Sequence, residues 1–128
     1  MDYISSNSML LMEKSMNYLW AKQAAISDNI ANAETPNYKA KLVTFEESLR
    51  EKLEQALGSN APRRNARQVL SESEFAVVRT AESTRMDDNG VNVTEQMVEL
   101  VRNAYQLQYV MHSISTDLVT LRTAIKGQ

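Results

Sequence analysis

The sequence lacks most of the residues that small catalytic domains depend on. Its 128 residues include no cysteine, three glycines, two prolines and one histidine. Without cysteine there can be neither a disulfide framework nor a thiolate metal site. Three glycines and the absence of a Gly-x-Ser-x-Gly segment leave no phosphate-binding loop and no nucleophile elbow. We therefore expect no enzyme activity and no cofactor.

Strong charge of one sign and long apolar runs are missing as well. The net charge is −2 and the isoelectric point is near 5.4, so the chain has no cationic excess for nucleic acid. The longest apolar run near the N-terminus covers only residues 9–12, which is too short for a membrane span or a signal-peptide core. We expect no nucleic-acid partner, no direct membrane insertion and no classical cleaved secretion signal.

The remaining candidates for chemistry are weak. His112 has no carboxylate or hydroxyl at a spacing that would make it a general base. Residues 87–90, Asp-Asp-Asn-Gly, resemble part of a calcium loop but lack its other ligands. A structural role for His112 and a turn at 87–90 are the favoured interpretations. The sequence predicts no catalytic, metal or cofactor site.

A seven-residue apolar repeat occupies the N-terminal part of the chain. Its members, spaced alternately by three and four residues, are Met9, Met12, Met16, Leu19, Ile26 and Ile30, with Gln23 as a polar member. This spacing predicts a long helix with a coiled-coil seam. Pro36 disfavours helical geometry at the preceding residue, so the helix should end near Ala33. We assign residues 1–35 to an N-terminal coiled-coil segment.

A second repeat runs through the C-terminal part. Its larger members are Met97, Leu100, Leu107, Met111, Ile114, Leu118, Leu121 and Ile125. Asn92 followed three residues later by Glu95 is typical of a capping box at a helix start, and Gly127 is typical of a residue just beyond a helix end. Residues 93–128 are therefore predicted to form a second coiled-coil helix that packs with the first.

The middle segment, residues 36–92, is predicted to be small and of mixed structure. Apolar residues at helical spacing from Leu42 to Leu57 predict a short amphipathic helix that ends at Gly58. The arginine-rich run 63–67 is interpreted as a loop, and residues 75–78 as a strand. Asn89-Gly90 is typical of a tight hairpin turn. The fold class is thus mainly α, with a short helix and a β-hairpin between two long terminal helices.

Both predicted terminal helices carry apolar residues outside their seams, namely Leu11, Tyr18, Trp20, Val98, Val101, Tyr105, Tyr109 and Val110. A helix that is apolar on more than one face needs neighbours on more than one side. The seam residues are therefore predicted to form an assembly interface. Two interpretations remain open: a self-associating structural subunit, and a helical adaptor or chaperone-like binding module that does not polymerise.

The segment 29–38 reads Asn-Ile-Ala-Asn-Ala-Glu-Thr-Pro-Asn-Tyr. Thr-Pro forces an extended exit from a helix, and asparagine is compatible with helix ends. The pattern of Asn29, Asn32, Thr35, Pro36 and Tyr38 resembles the signature of flagellar axial proteins, which include rod, hook and hook-associated proteins. The C-terminal stretches 89–100 and 121–127 are also similar to this family. One departure is the asparagine after Pro36, where many members have glycine.

The short chain, without a large central insert, is most similar to the proximal-rod members of that family. The resemblance implies a structural subunit that links the membrane ring and export gate to the rest of the drive shaft and transmits torque. It also implies export without cleavage through the flagellar type III channel, and a location in the basal body, in the periplasm or across the cell envelope. The implied partners are further copies of the chain, other proximal-rod proteins, the rod–ring junction protein, the membrane ring and the export gate.

Overall fold

A computed structural model describes residues 7–58, 60, 62–81, 86 and 88–127. These residues form four helices and two strands. In chain order they are α1 (Asn7–Ala31), β1 (Lys41–Thr44), α2 (Glu46–Leu57), α3 (Pro62–Glu72), β2 (Ala76–Arg79) and α4 (Val93–Lys126). The mainly helical class with two long terminal helices is confirmed.

The first and last helices pack against each other in opposite directions. Asn29, near the end of α1, bonds to Gln96 in the first turn of α4, whereas Leu19 lies beside Asn103 further along α4. At 1.5 Å per residue the 34 residues of α4 extend over about 51 Å. The pair α1–α4 is therefore the long axis on which the other elements are arranged.

Both ends of α4 follow the predicted capping chemistry. The Asn92 side chain accepts a hydrogen bond from the Glu95 backbone N–H, with extended backbone at Asn92 itself. At the other end Gly127 has φ 70° and donates its N–H to the Thr123 carbonyl. Only glycine adopts this left-handed conformation at no steric cost, which explains why the helix stops there.

The two strands pair with each other across a long insertion, so the predicted β-hairpin is wrong in its connection. β1 and β2 are antiparallel, with Leu42 opposite Val78 and Val43 opposite Val77, and helices α2 and α3 lie between them in the chain. Asn89-Gly90 joins no two strands, because the segment after it enters α4 directly.

Two further details of the middle segment differ from the prediction. Leu42 belongs to β1 rather than to the amphipathic helix, which begins only at Glu46. The arginine-rich run is not a loop but the first half of α3, which opens on Pro62, a residue favoured at the first helical position. Helix α3 holds its place because Ala66 and Leu70 are buried. Because α3 has few apolar residues, its sequence shows no clear helical pattern and its arginine-rich first half was interpreted as a loop.

The core lies where α1 meets the middle segment. Tyr18 and Leu19 of α1 pack with Phe45, Leu49 and Leu70. The rings of Tyr18 and Phe45 are stacked, with centroids 5.3 Å apart. Lys14 of α1 donates to the backbone carbonyls of Ser71 and Ser73 at the end of α3, where a cation is favoured. These contacts bind α2 and α3 to the α1 side of the long helix pair.

Candidate assembly surface and helix-exit network

Asn29 ties three elements together at the end of α1. Its side chain is fully buried, and its Nδ2 donates to the Lys41 carbonyl at 2.9 Å and to Gln96 Oε1 at 3.0 Å. Its Oδ1 accepts from the Lys41 N–H at 2.8 Å and from the Tyr38 hydroxyl at 3.4 Å. All four hydrogen-bonding positions of the amide are used. Asn29 therefore joins α1 to β1 and to α4.

The other motif residues shape the turn that leaves α1. Asn32 Nδ2 donates to the Asp28 carbonyl at 2.8 Å, and the Thr35 hydroxyl donates to Asn32 Oδ1 at 3.2 Å. Pro36 is exposed in this turn. Asn37 adopts φ 60°, a left-handed conformation that asparagine tolerates better than most residues. The Asn-rich motif thus has a structural function in reversing the chain.

Asn89 completes the same network from the far side of the sequence. It is fully buried, and its Nδ2 lies 3.1, 2.9 and 2.8 Å from the carbonyls of Asn32, Ala33 and Thr35. Its Oδ1 accepts from the Val91 N–H at 2.7 Å. These carbonyls belong to the turn that follows α1, and Asn89 supplies a donor to them. Sequence reasoning missed this, because Asn-Gly is also the common signal for a hairpin turn.

An exposed ion pair flanks the network. Lys41 Nζ lies 2.6 Å from Asp28 Oδ2, and the hydrogen bond with Asp28 raises the pKa of the Lys41 ammonium. Lys22 of α1 pairs with Glu99 of α4 at 2.9 Å, and Glu99 also pairs with Arg102. These pairs connect α1 to β1 and to α4 on the solvent side of the packed helices.

The predicted seam residues of α1 lie on its packed side. Leu19 and Ile26 are buried, and the remaining four, Met9, Met12, Met16 and Ile30, are half-buried. Leu19 belongs to the main core cluster. The polar seam member Gln23 accepts a hydrogen bond from Asn103 Nδ2 at 2.7 Å. Within the chain, this side of α1 is therefore occupied by α4 and the middle segment.

The predicted seam residues of α4 divide into two sets. Those at every seventh position from Leu100, namely Leu100, Leu107, Ile114 and Leu121, are half-buried. The other set, Met97, Met111, Leu118 and Ile125, is exposed, from 47% at Met97 to 81% at Ile125. The structure thus brings only the first set to the side that faces α1.

A different set alternates with the half-buried leucines on the inner side of α4. Gln96 and Asn103 are buried, and Val110 and Asp117 are half-buried. Asn103 is fully enclosed, and its Oδ1 accepts no hydrogen bond from any residue that the structure describes. Because three of these four residues are polar, hydrophobic patterning favours the outer set instead. The side of α4 that faces α1 thus combines three polar residues with Val110 and the half-buried set Leu100, Leu107, Ile114 and Leu121.

The exposed set is part of a continuous outer stripe. Its members are Met97, Ala104, Met111, Leu118 and Ile125, one for each heptad. Outside this stripe, the α4 residues Tyr105 and Tyr109 are 70% and 73% exposed. Large apolar surfaces of this kind on soluble proteins mark contacts with other molecules.

A groove of about 750 Å³ lies beside the tyrosines of α4. Its walls come from α1, the residue Phe45, α2 and α4, and its apolar lining consists of Tyr18, Leu19, Phe45, Leu49, Leu53, Leu57, Tyr105, Tyr109 and Val110. Arg50 and Glu54, which pair with each other at 3.0 Å, also line it. The groove and the outer stripe are both apolar surfaces to which α4 contributes.

The described residues give no support for a metal site, for a catalytic role of His112 or for a membrane-spanning helix. Within them no three histidine or acidic side chains come close enough together to hold a metal ion. His112 is exposed on α4, and its backbone carbonyl accepts a hydrogen bond from the Thr116 hydroxyl. No helix among the described residues has the length and apolar character needed to cross a bilayer.

The helix-exit network coincides with a known family signature. The family model described as "Flagella basal body rod protein" matches residues 15–39, which run from the middle of α1 through Asn29 and Asn32 to Lys39. Residues 15–39 are thus similar to the family of flagellar basal body rod proteins, as the resemblance of residues 29–38 predicted.

Over most of its length, the chain is similar to proteins named flagellar basal body rod protein FlgB. The FlgB of Bacillus subtilis is 27% identical over 123 residues, which is 95% of each chain. That of Aquifex aeolicus is 29% identical and covers 92% of each chain. That of Borrelia hermsii is 29% identical over 75% of this chain and 78% of its own. The similarity therefore spans nearly the whole chain, including the middle segment, and supports a structural role in the rod.

Proposed function

We propose that the chain is a structural subunit of the proximal rod that links the membrane ring and export gate to the rest of the drive shaft and transmits torque. The observation that carries this proposal is the pair of apolar surfaces on α4, one on each side of its contact with α1. A subunit with two such surfaces can contact neighbours on two sides, as an assembly requires.

The bonding of α1 to α4 supports the torque-bearing part of the proposal. Two amide contacts between the helices, Asn29 with Gln96 and Gln23 with Asn103, fix the alignment of the helices. The ion pair between Lys22 and Glu99 adds a further contact between the same two helices. Polar contacts inside a helix pair oppose sliding of one helix along the other, because sliding would leave buried groups without partners. A sheared subunit would therefore resist relative movement of its two long helices.

The same proposal assigns the partners and the location. The neighbours would be further copies of the chain, other proximal-rod proteins, the rod–ring junction protein, the membrane ring and the export gate. The chain would be exported through the type III channel and reside in the basal body, in the periplasm or across the cell envelope. In this arrangement 1–35 and 93–128 would form one rod-core unit and 36–92 a smaller unit carried on it.

The test is deletion of the chain's gene in its own host, followed by electron microscopy of purified basal bodies. We expect basal bodies without rods and non-motile cells, with both properties restored by the wild-type gene. An epitope-tagged chain should be found in the purified basal bodies. Complete rods in the deletion strain would contradict the proposal, and so would a tagged chain that stays in a soluble complex, as expected for a non-polymerising adaptor.

A further inference from the structure

The outer edge of β2 is open. Every residue of β2 is exposed, and the exposed fractions of Val77 and Val78 are 55% and 48%. The edge of a strand presents backbone N–H and C=O groups to which another strand can bind. A sheet of only two strands is marginal by itself, and a third strand stabilises it. The edge of β2 is therefore the place at which this sheet can be extended.

The register shows which backbone groups face outward. In an antiparallel pair, residues that exchange hydrogen bonds with the partner strand alternate with residues that do not. The Thr80 N–H bonds to the Ala40 carbonyl, and the register repeats this bonding two residues earlier, at Val78. The backbone groups of Val77 and Arg79 consequently point away from β1. They form no hydrogen bond with any residue that the structure describes.

The edge of β1 differs from the edge of β2 because it is covered at Lys41. The Lys41 backbone also points away from its partner strand, but the Asn29 side chain accepts from its N–H at 2.8 Å and donates to its carbonyl at 2.9 Å. Asn29 thus takes the place of a neighbouring strand. Native sheet edges are commonly protected by a cover, a bulge, proline or lysine, and residues 76–79 contain neither proline nor lysine.

The solvent-facing side of the sheet is apolar at its centre. Val43 packs against the main core cluster, and successive side chains of a strand point to opposite faces. Leu42 therefore lies on the face turned away from the core, together with Val78 opposite it, and each is 48% exposed. A third strand with an apolar side chain opposite Val78 would extend this apolar row and cover part of it.

Arg79 adds a requirement for charge. It lies opposite Lys41 in the register, and like charges at directly opposite positions are unfavourable. Asp28 pairs with Lys41 at 2.6 Å, whereas Arg79 is exposed and forms no ion pair with any described residue. A carboxylate opposite Arg79 on a third strand would offset the repulsion, so charge complementarity favours an acidic residue at that position.

The β2 strand of a second copy does not supply that acid. When two open edges pair in the antiparallel direction, the outward-facing residues lie opposite each other, and on β2 these residues are odd-numbered. Arg79 would therefore face Phe75, Val77 or the other Arg79, none of which is acidic. The acidic residues nearest to β2 in the sequence, Glu74 and Glu82, are even-numbered. The observations therefore favour a different polypeptide as the third strand.

We infer that β2 binds an extended segment of another protein as a third, antiparallel strand, with an acidic residue opposite Arg79 and apolar residues opposite Val78 and Val77. Because the two strands run in opposite directions, the segment reads acidic–apolar–apolar from its N-terminus. Backbone hydrogen bonds supply the affinity in this mode of binding, and alternate side chains supply the specificity. The inference goes beyond the proposed rod function and does not depend on it.

Synthetic peptides test the inference on the purified full-length chain. The probe is a short peptide with Glu-Val-Val between threonines, and its charge control has Lys-Val-Val at the same place. Two further peptides carry N-methyl groups on the backbone. One is methylated at the glutamate and at the second valine, whose N–H groups would bond to Arg79 and Val77. The other is methylated at the first valine, whose N–H would point away from β2.

We expect the Glu-Val-Val peptide to bind about threefold or more tightly than the Lys-Val-Val peptide, since opposite and like charges across neighbouring strands differ by about this factor. Binding should slow hydrogen exchange of the Val77 and Arg79 amides in NMR spectra. Methylation of the glutamate and the second valine should abolish binding, and methylation of the first valine should not. Arg79→Glu should reverse the preference between the two peptides, whereas Arg122→Glu, exposed on α4, should leave it unchanged.

Several outcomes would overturn the inference. They are absence of binding, equal binding of the Glu-Val-Val and Lys-Val-Val peptides, binding that is indifferent to the position of the methyl groups, and slowed exchange only outside β2. Slow exchange of Val77 and Arg79 that grows with the concentration of the chain alone would show instead that β2 pairs with a second copy. All of these measurements use the isolated chain, so their failure would leave the rod function, tested by the gene deletion, intact.

Discussion

Asn103 of α4 and Gln23 of α1 are hydrogen-bonded inside the helix pair. Asn103 Nδ2 lies 2.7 Å from Gln23 Oε1 and 3.1 Å from the Leu19 carbonyl. A polar contact of this kind within an otherwise apolar seam specifies how two helices are aligned, at some cost in stability. Together with the contact between Asn29 and Gln96 it defines two fixed points along the packed helices.

We predict that Gln23 and Asn103 are energetically coupled. Gln23→Leu and Asn103→Leu should each lower the free energy of unfolding by about 1–3 kcal/mol, because Gln23→Leu removes one of the two acceptors of Asn103 Nδ2 and Asn103→Leu removes the donor to Gln23 Oε1. The double variant should lose less than the sum, with a coupling free energy of about 0.5–3 kcal/mol. Urea unfolding of the four proteins measures this directly, and strictly additive losses would show that the two amides do not depend on each other.

Loss of the Asn29 side chain should weaken the connection of α1 to β1 and α4. Asn29→Ala should lower the free energy of unfolding by about 3 kcal/mol, since at least two buried groups lose their partners at about 1–3 kcal/mol each. Asn17→Ala, on the exposed side of α1, is the control and should change stability by at most about 0.5 kcal/mol. Equal effects of the two variants in chemical denaturation would contradict the structural function assigned to Asn29.

Asn89 offers a test that depends on pH. In Asn89→Asp a carboxylate oxygen would face the carbonyls that Nδ2 now contacts, which raises the pKa of the new acid in the folded state above its value of about 3.9 in the unfolded chain. The penalty is absent below the unfolded pKa and grows as the pH rises. Stability relative to the wild-type chain should therefore fall between about pH 4 and pH 7.

Asn92→Asp is the matched control for this experiment. Asn92 accepts the Glu95 N–H at the start of α4, where a carboxylate is favoured by the helix N-terminus. Its folded-state pKa should be depressed, so the variant should gain relative stability over the same rise in pH. Parallel pH profiles for the two aspartate variants would rule out the proposed contact of Asn89 with the three carbonyls.

The two sets of α4 seam residues should respond differently to the same substitution. Leu107 packs against the core cluster, so Leu107→Asp should unfold the chain or cost several kcal/mol, as expected for a charge buried without a partner. Leu118→Asp and its control Thr123→Asp, both at exposed positions, should leave the urea midpoint of the isolated chain nearly unchanged. Only Leu118→Asp should reduce rod assembly, and equal stability of the Leu107 and Leu118 variants would show that Leu107 is not a core residue.

The ends of α4 were predictable because their signals are local. Asn92, Glu95 and Gly127 determine where the helix starts and stops through contacts within four residues. The strand pairing was not predictable in the same way. Leu42 and Val78 become neighbours only after α2 and α3 have brought the chain back, and neither residue carries a mark that identifies the other.

The orientation of α4 escaped prediction for a different reason. Its sequence contains two overlapping heptad patterns that share Leu100 and Leu107, and hydrophobicity favours the one that continues through Met111 and Leu118. The structure places Gln96 and Asn103 inward, since their amides bond to partners on α1. Patterning by hydrophobicity cannot recognise a buried amide whose cost is offset by partners far away in sequence.

The functions of the asparagines were partly predictable from the sequence and partly not. Their similarity to a family was visible in the sequence, and Asn32 and Asn37 act in a local turn, as the residue type suggests. The burial of Asn29 and Asn89 was not visible, because asparagine is usually exposed. The side chains of these two asparagines are held in place by hydrogen bonds to the backbone carbonyl and N–H groups around them.

The pairing of the first helix with the last has a consequence for synthesis. When the ribosome has completed Ala31, α1 exists without its partner, because α4 begins only at Val93. At translation rates of about 5–20 residues per second, the interval is roughly 3–12 s for the intervening residues. During that time the side of α1 that carries Leu19 and Ile26 has no α4 to cover it. The nascent chain therefore passes through a stage at which other proteins can bind α1, and the fold closes only with the last quarter of the chain.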